Sequence, residues 1–141
     1  MALASWTKLR VEYNRDKKNL RKKAVVRAAA ILTNSYVATD EVDITGFSRV
    51  GIFFALLAGS LTSFEYKVQQ SVDGGDTWHD ITAETVTLTT ITDGQPYYTI
   101  AATDQNSFKG VYAWGERLRL QVKGTGTLTS SSLAVTLVGV Y

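Results

Sequence analysis

Between residues 64 and 70, Phe64, Tyr66, Val68 and Gln70 alternate with Glu65, Lys67 and Gln69, the period of a strand with one buried face. Ahead of it, residues 48–57 are nearly all apolar, which predicts a strand buried on both sides. Ala58, Gly59 and Ser60 close that run, and residues 61–71 are expected to return as its hairpin partner. Further strands are predicted at 77–81, 85–91, 95–102, 117–124 and 127–141, with turns at Gly59, Gly74 and Gly75, Asp93 and Gly94, Gly110, Gly115, and Gly124 to Gly126. In the last strand Leu128, Leu133, Val135, Leu137 and either Val138 or Val140 are the inward candidates, the pattern of a long central strand. Short strands separated by glycine turns predict an all-β chain, a β-sandwich.

The first 32 residues are less uniform. Leu20, Ala24, Ala28, Ile31 and Leu32 fall at helical spacing with cations mostly opposite, which predicts a basic amphipathic helix capped by Asn14 or Asp16. Residues 25–32 are also an apolar run bounded by Thr33, Asn34 and Ser35, as a first strand would be. The chain therefore divides into a basic N-terminal arm or short helix, residues 1–24, feeding a sandwich domain, residues 25–141.

The stretch after Gln70 reads Ser-Val-Asp-Gly-Gly-Asp-Thr-Trp. It fits the Asp-box pattern Ser-x-Asp-x-Gly-x-Thr-Trp at Ser71, Asp73, Gly75, Thr77 and Trp78. Asp73, Gly74 and Gly75 tolerate the positive φ of a tight hairpin, so the motif is a structural turn. Propellers built on such boxes need several blades of about 40 residues; one copy in 141 residues excludes that architecture.

Charge changes the picture more than composition does. Residues 1–27 hold nine cations against Glu12 and Asp16, a balance of +7, and the remaining residues hold six cations against eleven acids, a balance of −5. A basic arm precedes an acidic body, a layout that suits an arm lying on an acidic partner or on the body of the next copy. Trp6, Leu9, Val11 and Tyr13 are the expected apolar anchors of that arm, and Lys17, Lys18, Arg21, Lys22 and Lys23 its cationic contacts. The chain has no cysteine, which removes disulfides and thiolate metal sites. No apolar run approaches the roughly 20 residues of a spanning helix, and the first residues lack the order of a secretion signal; no membrane association is expected.

No catalytic constellation emerges. His79 is the only histidine, and if Trp78 points inward the alternation turns it to solvent. Asp40, Glu41 and Asp43 lack the spacing of a calcium loop, and the glycines lack that of a phosphate loop. Neither a metal nor a cofactor is expected, and the chain reads as a non-enzyme. Tyr112 and Trp114 flank Ala113 in a loop-like stretch and could form a flat sugar-binding platform, or pack beneath the sandwich or against a neighbour. Tyr97 and Tyr98 face opposite sides of one strand. Arg117 and Arg119 share a strand face, either solvated or meeting an acidic neighbour.

The step Val42-Asp43-Ile44-Thr45-Gly46-Phe47 into an apolar strand, followed by Gln69-Gln70-Ser71-Val72-Asp73-Gly74-Gly75-Asp76-Thr77-Trp78, resembles small β-sandwich virion proteins of tailed bacteriophages. The resemblance covers about 40 residues, all of turn and core type. It implies a jelly-roll-like sandwich and a structural protein of the virion, assembled in the host cytoplasm, with capsid decoration or cement as its role and the major capsid protein or another virion protein as partner. Tail or head-tail placement is the alternative, as is a coat-type protein whose basic arm binds nucleic acid; a carbohydrate-binding module is a further one. A homo-oligomer is expected, and the resemblance suggests a trimer. Against nucleic acid stands the absence of aromatics among the cations of 17–23, which are mostly lysine.

Overall fold

The computed structural model describes residues 3–10, 21–57, 59–87 and 104–141. Its elements are all strands: β1 (Thr7–Arg10), β2 (Arg21–Ala30), β3 (Val37–Ala38), β4 (Val42–Asp43), β5 (Arg49–Leu57), β6 (Leu61–Ser71), β7 (His79–Thr87), β8 (Asp104–Tyr112), β9 (Arg117–Gly126) and β10 (Ser132–Val140). They form two antiparallel sheets, ordered β1-β2-β10-β5-β8 and β3-β9-β6-β7, with β4 also paired to β9. The chain is an all-β sandwich.

The core lies between the sheets and is built by alternation. Val50, Ile52, Phe54 and Leu56 of β5 face inward, as do Leu133, Val135 and Leu137 of β10. Opposite them lie Phe64, Tyr66 and Val68 of β6 and Leu118, Leu120 and Val122 of β9. Phe54, Phe64 and Tyr66 form an aromatic cluster with centroids 4.7 to 6.1 Å apart. Each such burial is worth about 1.5–3 kcal/mol. The predicted central place of the last strand holds, since β10 pairs with β2 on one side and β5 on the other.

Several expectations are corrected. No helix occurs among the described residues, and the stretch from Arg21 that could have opened a short helix is strand. Ala24 and Val26 go into the core while Val25 stays 55% exposed. Pairing along β10 from Arg21 to Ala30 supplies this register, and tertiary pairing overrides local helix spacing. The strand starts at Arg21 rather than near residue 25. β5 is not buried on both sides, because Phe53 and Leu57 are exposed. Nor is β6 its hydrogen-bonded partner, since the chain crosses between sheets after Leu57. Residues 79–87, which take in the described parts of the strands predicted at 77–81 and 85–91, form one strand, β7, paired with β6 from Gln70↔His79 to Ser63↔Thr87, and residues 88–91 lie outside the described residues. β8 was not predicted at all. The strand expected at 95–102, with Tyr97 and Tyr98, lies outside the described residues.

Candidate binding face of the first sheet

The two outer faces of the sandwich differ in how their polar groups are satisfied. On the second sheet, Glu41 pairs with Arg117, and Glu65 with Lys123 at 3.0 Å. Arg119 Nε donates to Gln69 Oε1 at 2.9 Å, and its guanidinium lies 4.3 Å over the Trp78 ring. Gln69 Nε2 donates to Asp80 Oδ1 at 2.7 Å, and Lys67 and Lys123 sit over Tyr36. Arg117 and Arg119 are thus held by groups of their own chain.

The outer face of the first sheet has another character. Register places Arg21 and Arg49 directly opposite Val140 on either side, and Tyr112 opposite Arg49. Two residues along each strand the next outward row reads Thr7, Lys23, Val138, Gly51 and Gly110, and the third places Val25, Thr136 and Phe53 in line. Cations therefore gather toward β2, with Arg49 on β5, and rings toward β5 and β8. Because Gly51 faces Gly110, no side chain fills the second row there. A trough of about 520 Å³ results, bounded by Arg21, Arg49, Phe53, Tyr112, Val138 and Val140. Neither Arg21, Lys23 nor Arg49 forms an ion pair among the described residues.

Tyr112 and Trp114 form a ring pair at the end of this trough, 5.7 Å between centroids and 28° apart. The Arg49 guanidinium lies over Tyr112 at 5.3 Å. Both rings are exposed, Trp114 at 69%, so they do not pack beneath the sandwich. Their position is set from the other sheet. Buried Gln70 donates from Nε2 to the Tyr112 carbonyl at 2.6 Å, and its Oε1 accepts from the N–H groups of Trp114 at 2.9 Å and Gly115 at 2.8 Å. Glu116 N–H donates to the Ser71 carbonyl at 2.8 Å. A Cβ on Gly115 would stand 2.6 Å from that carbonyl oxygen, so only glycine lets the two segments approach.

The Asp box is the support next to this platform. Ser71 Oγ donates to Asp73 Oδ1 at 2.7 Å and accepts from Gly75 N–H at 2.9 Å, while Thr77 N–H donates to Asp73 Oδ1 at 2.8 Å. Gly74 and Gly75 take φ of 72° and 98°, which l-residues with a Cβ rarely adopt. These hydrogen bonds, the Ser71 hydroxyl first and then the Thr77 N–H, hold the Asp73 carboxyl down to about 2. Trp78 lies half-buried under Arg119, and His79 is exposed.

Of the expected arm residues, Trp6 is placed on the body of its own chain. Its ring packs 4.8 Å from Phe47, which stacks on Tyr141 at 4.6 Å, and its Nε1 donates to the Asp43 carbonyl at 2.7 Å. Leu9 belongs to β1. Arg21, Lys22 and Lys23 belong to β2, where Lys22 sits 5.7 Å over Tyr141. Val11, Tyr13, Lys17 and Lys18 lie outside the described residues. Gln70, Arg49, Phe53 and the Gly51–Gly110 pair are the participants that sequence reasoning missed.

No family model matches the chain, and no curated protein does. Among solved structures, the SPBc2 prophage-derived protein YomS is 13% identical, with a TM-score of 0.50 over 89% of this chain and 96% of that one. Bacillus endospore appendages, which form disulfide-linked pili, are 8% identical, with a TM-score of 0.51 over 93% and 96%. A CBM4 structure is 12% identical, with a TM-score of 0.48 over 98% and 78%. At these identities the likeness is one of fold. The linkage named for the pili has no counterpart in a chain without cysteine.

Proposed function

We propose that the chain is a non-enzymatic structural protein of a bacteriophage particle, of the capsid decoration or cement kind, whose N-terminal segment joins neighbouring copies. One observation carries the reading. Residues 3–10 lie against the body through Trp6 on Phe47, Ala4 N–H to the Glu41 carbonyl at 2.9 Å, and β1 against β2. The same set can be made by the segment of another copy, the condition for an interlocked homo-oligomer. Its fold, shared with a prophage-derived protein, is compatible with a virion location and with the major capsid protein or another virion protein as partner.

The test is the solution mass by light scattering at about 50 mM and 0.5 M salt, for the natural chain and for Trp6→Ala. The proposal expects a trimer or other closed oligomer at both salts and partial dissociation of the variant. A monomer under all conditions that also fails to bind phage heads removes the proposal.

A further inference from the structure

We propose that the outer face of the first sheet is a binding site for single-stranded nucleic acid, with the strand crossing from the β1–β2 edge to the Tyr112–Trp114 ring pair. The site is separate from the segment contacts that carry the assembly reading and does not depend on them.

Unpaired positive charge is the first ground. Arg21 and Lys23 of β2 are exposed on the outer face and Arg49 of β5 lies two strands on, and none of the three has an ion-pair partner among the described residues. A polyanion lying across this face would meet charge that the described part of the chain leaves unneutralised. Arg49 carries the positive row across β10 to the middle of the sheet. With strands about 4.8 Å apart, the row from β1 to β8 is about 19 Å long, enough for several phosphates.

The second ground is what lies at the other end of that row. Stacking platforms beside a cationic track are the general means of holding single strands without reading sequence. Trp114 offers an exposed indole, Tyr112 supports it from beside, and Phe53 lies 44% exposed across the glycine floor. The Gly51–Gly110 dip leaves room for a flat ring between Phe53 and Tyr112. In a duplex the bases are stacked on each other and present no free face to such rings. The lysine-rich run alone lacks aromatics; the fold supplies Phe53 from β5 and, from more than 80 positions away, Tyr112 and Trp114.

The experiment uses the full chain with a fluorescently labelled 12-residue oligothymidylate, followed by anisotropy and by tryptophan fluorescence, with Trp114→Ala assigning the share of that ring among the three tryptophans. Binding at about 50 mM salt is expected, with indole quenching and a log–log salt slope of about −2 if three phosphates are neutralised on a single strand. Trp114→Ala and Tyr112→Ala should each weaken binding about tenfold, the equivalent of one lost stacking contact. Arg21→Glu with Arg49→Glu should abolish it and flatten the slope. All four positions are exposed at the side chain, so an unchanged thermal midpoint shows that the variants fold. Absence of binding overturns the proposal. So does equal affinity for a duplex or for polyglutamate, or binding indifferent to the ring substitutions, since each leaves charge alone as the cause. Quenching by neutral oligosaccharides but not by the oligonucleotide would give the platform to sugars and overturn it likewise.

Discussion

Asp73 and Gln70 stand next to the same turn, yet only one of them announces its role in sequence. The Asp box is a local device, with partners two to four positions apart, so its pattern and its hydrogen bonds coincide. Because the folded carboxyl of Asp73 is held near 2, below its unfolded value of about 3.9, its contribution is full above the unfolded value and lost as pH falls through about 2. Thermal midpoints measured between pH 5 and 2 should fall more steeply for the natural chain than for Asp73→Asn. Ser71→Ala removes the hydroxyl that serves both Asp73 and the Gly75 N–H, and should cost about 1–3 kcal/mol in urea denaturation. Gln70 is silent in sequence because its partners lie 42 to 45 positions away. Gln70→Leu strands two N–H groups and a carbonyl, and is expected to cost about 2–4 kcal/mol and to alter the emission of Trp114, which its carbonyl holds.

At the level of elements, legibility follows how completely a strand obeys its period. β10 throughout and β6 from Phe64 to Val68 alternate cleanly and are readable. β8 was not, because Gln105, Asn106, Ser107, Lys109 and Gly110 give an edge strand little apolar signal. β5 was read as doubly buried because its outward positions are also apolar, a property of the exposed face and not of a covered one. The basic arm was legible as charge, but its end was not: β2 already pairs with β10 at Arg21↔Val140. Deleting residues 1–24 therefore removes part of a strand next to the central one, and buried Ala24 with it. That truncation should unfold or aggregate the chain, whereas Trp6→Ala, which leaves β2 whole and empties a half-buried site, should cost about 2 kcal/mol. Urea denaturation of both variants separates the two effects.

For the whole molecule the decisive contrast is between its two faces. The cations of β9 meet Glu41, Glu65, Gln69 and Trp78 of their own chain. Those of β2 and β5 lie beside apolar surface, with no acid among the described residues to meet them. Neither arrangement follows from the net charge of +2, because charge along the chain does not say which strands become neighbours. Of the cations in the first 27 residues, Arg21 and Lys23 are turned by β2 onto the outer face that Arg49 shares. Substitutions on the two faces should thus have opposite signatures. Gln69→Ala and Arg117→Ala break pairs that are partly screened from water and should lower stability by about 1 kcal/mol while leaving assembly and ligand binding alone. Arg49→Ala and Phe53→Ala should stay within about 0.5 kcal/mol, as surface changes do, yet alter association. Urea midpoints measured beside solution mass and oligonucleotide anisotropy give both readouts for each variant. Loss of binding from the β9 face with the first sheet's face silent would move the functional surface to the other side of the sandwich.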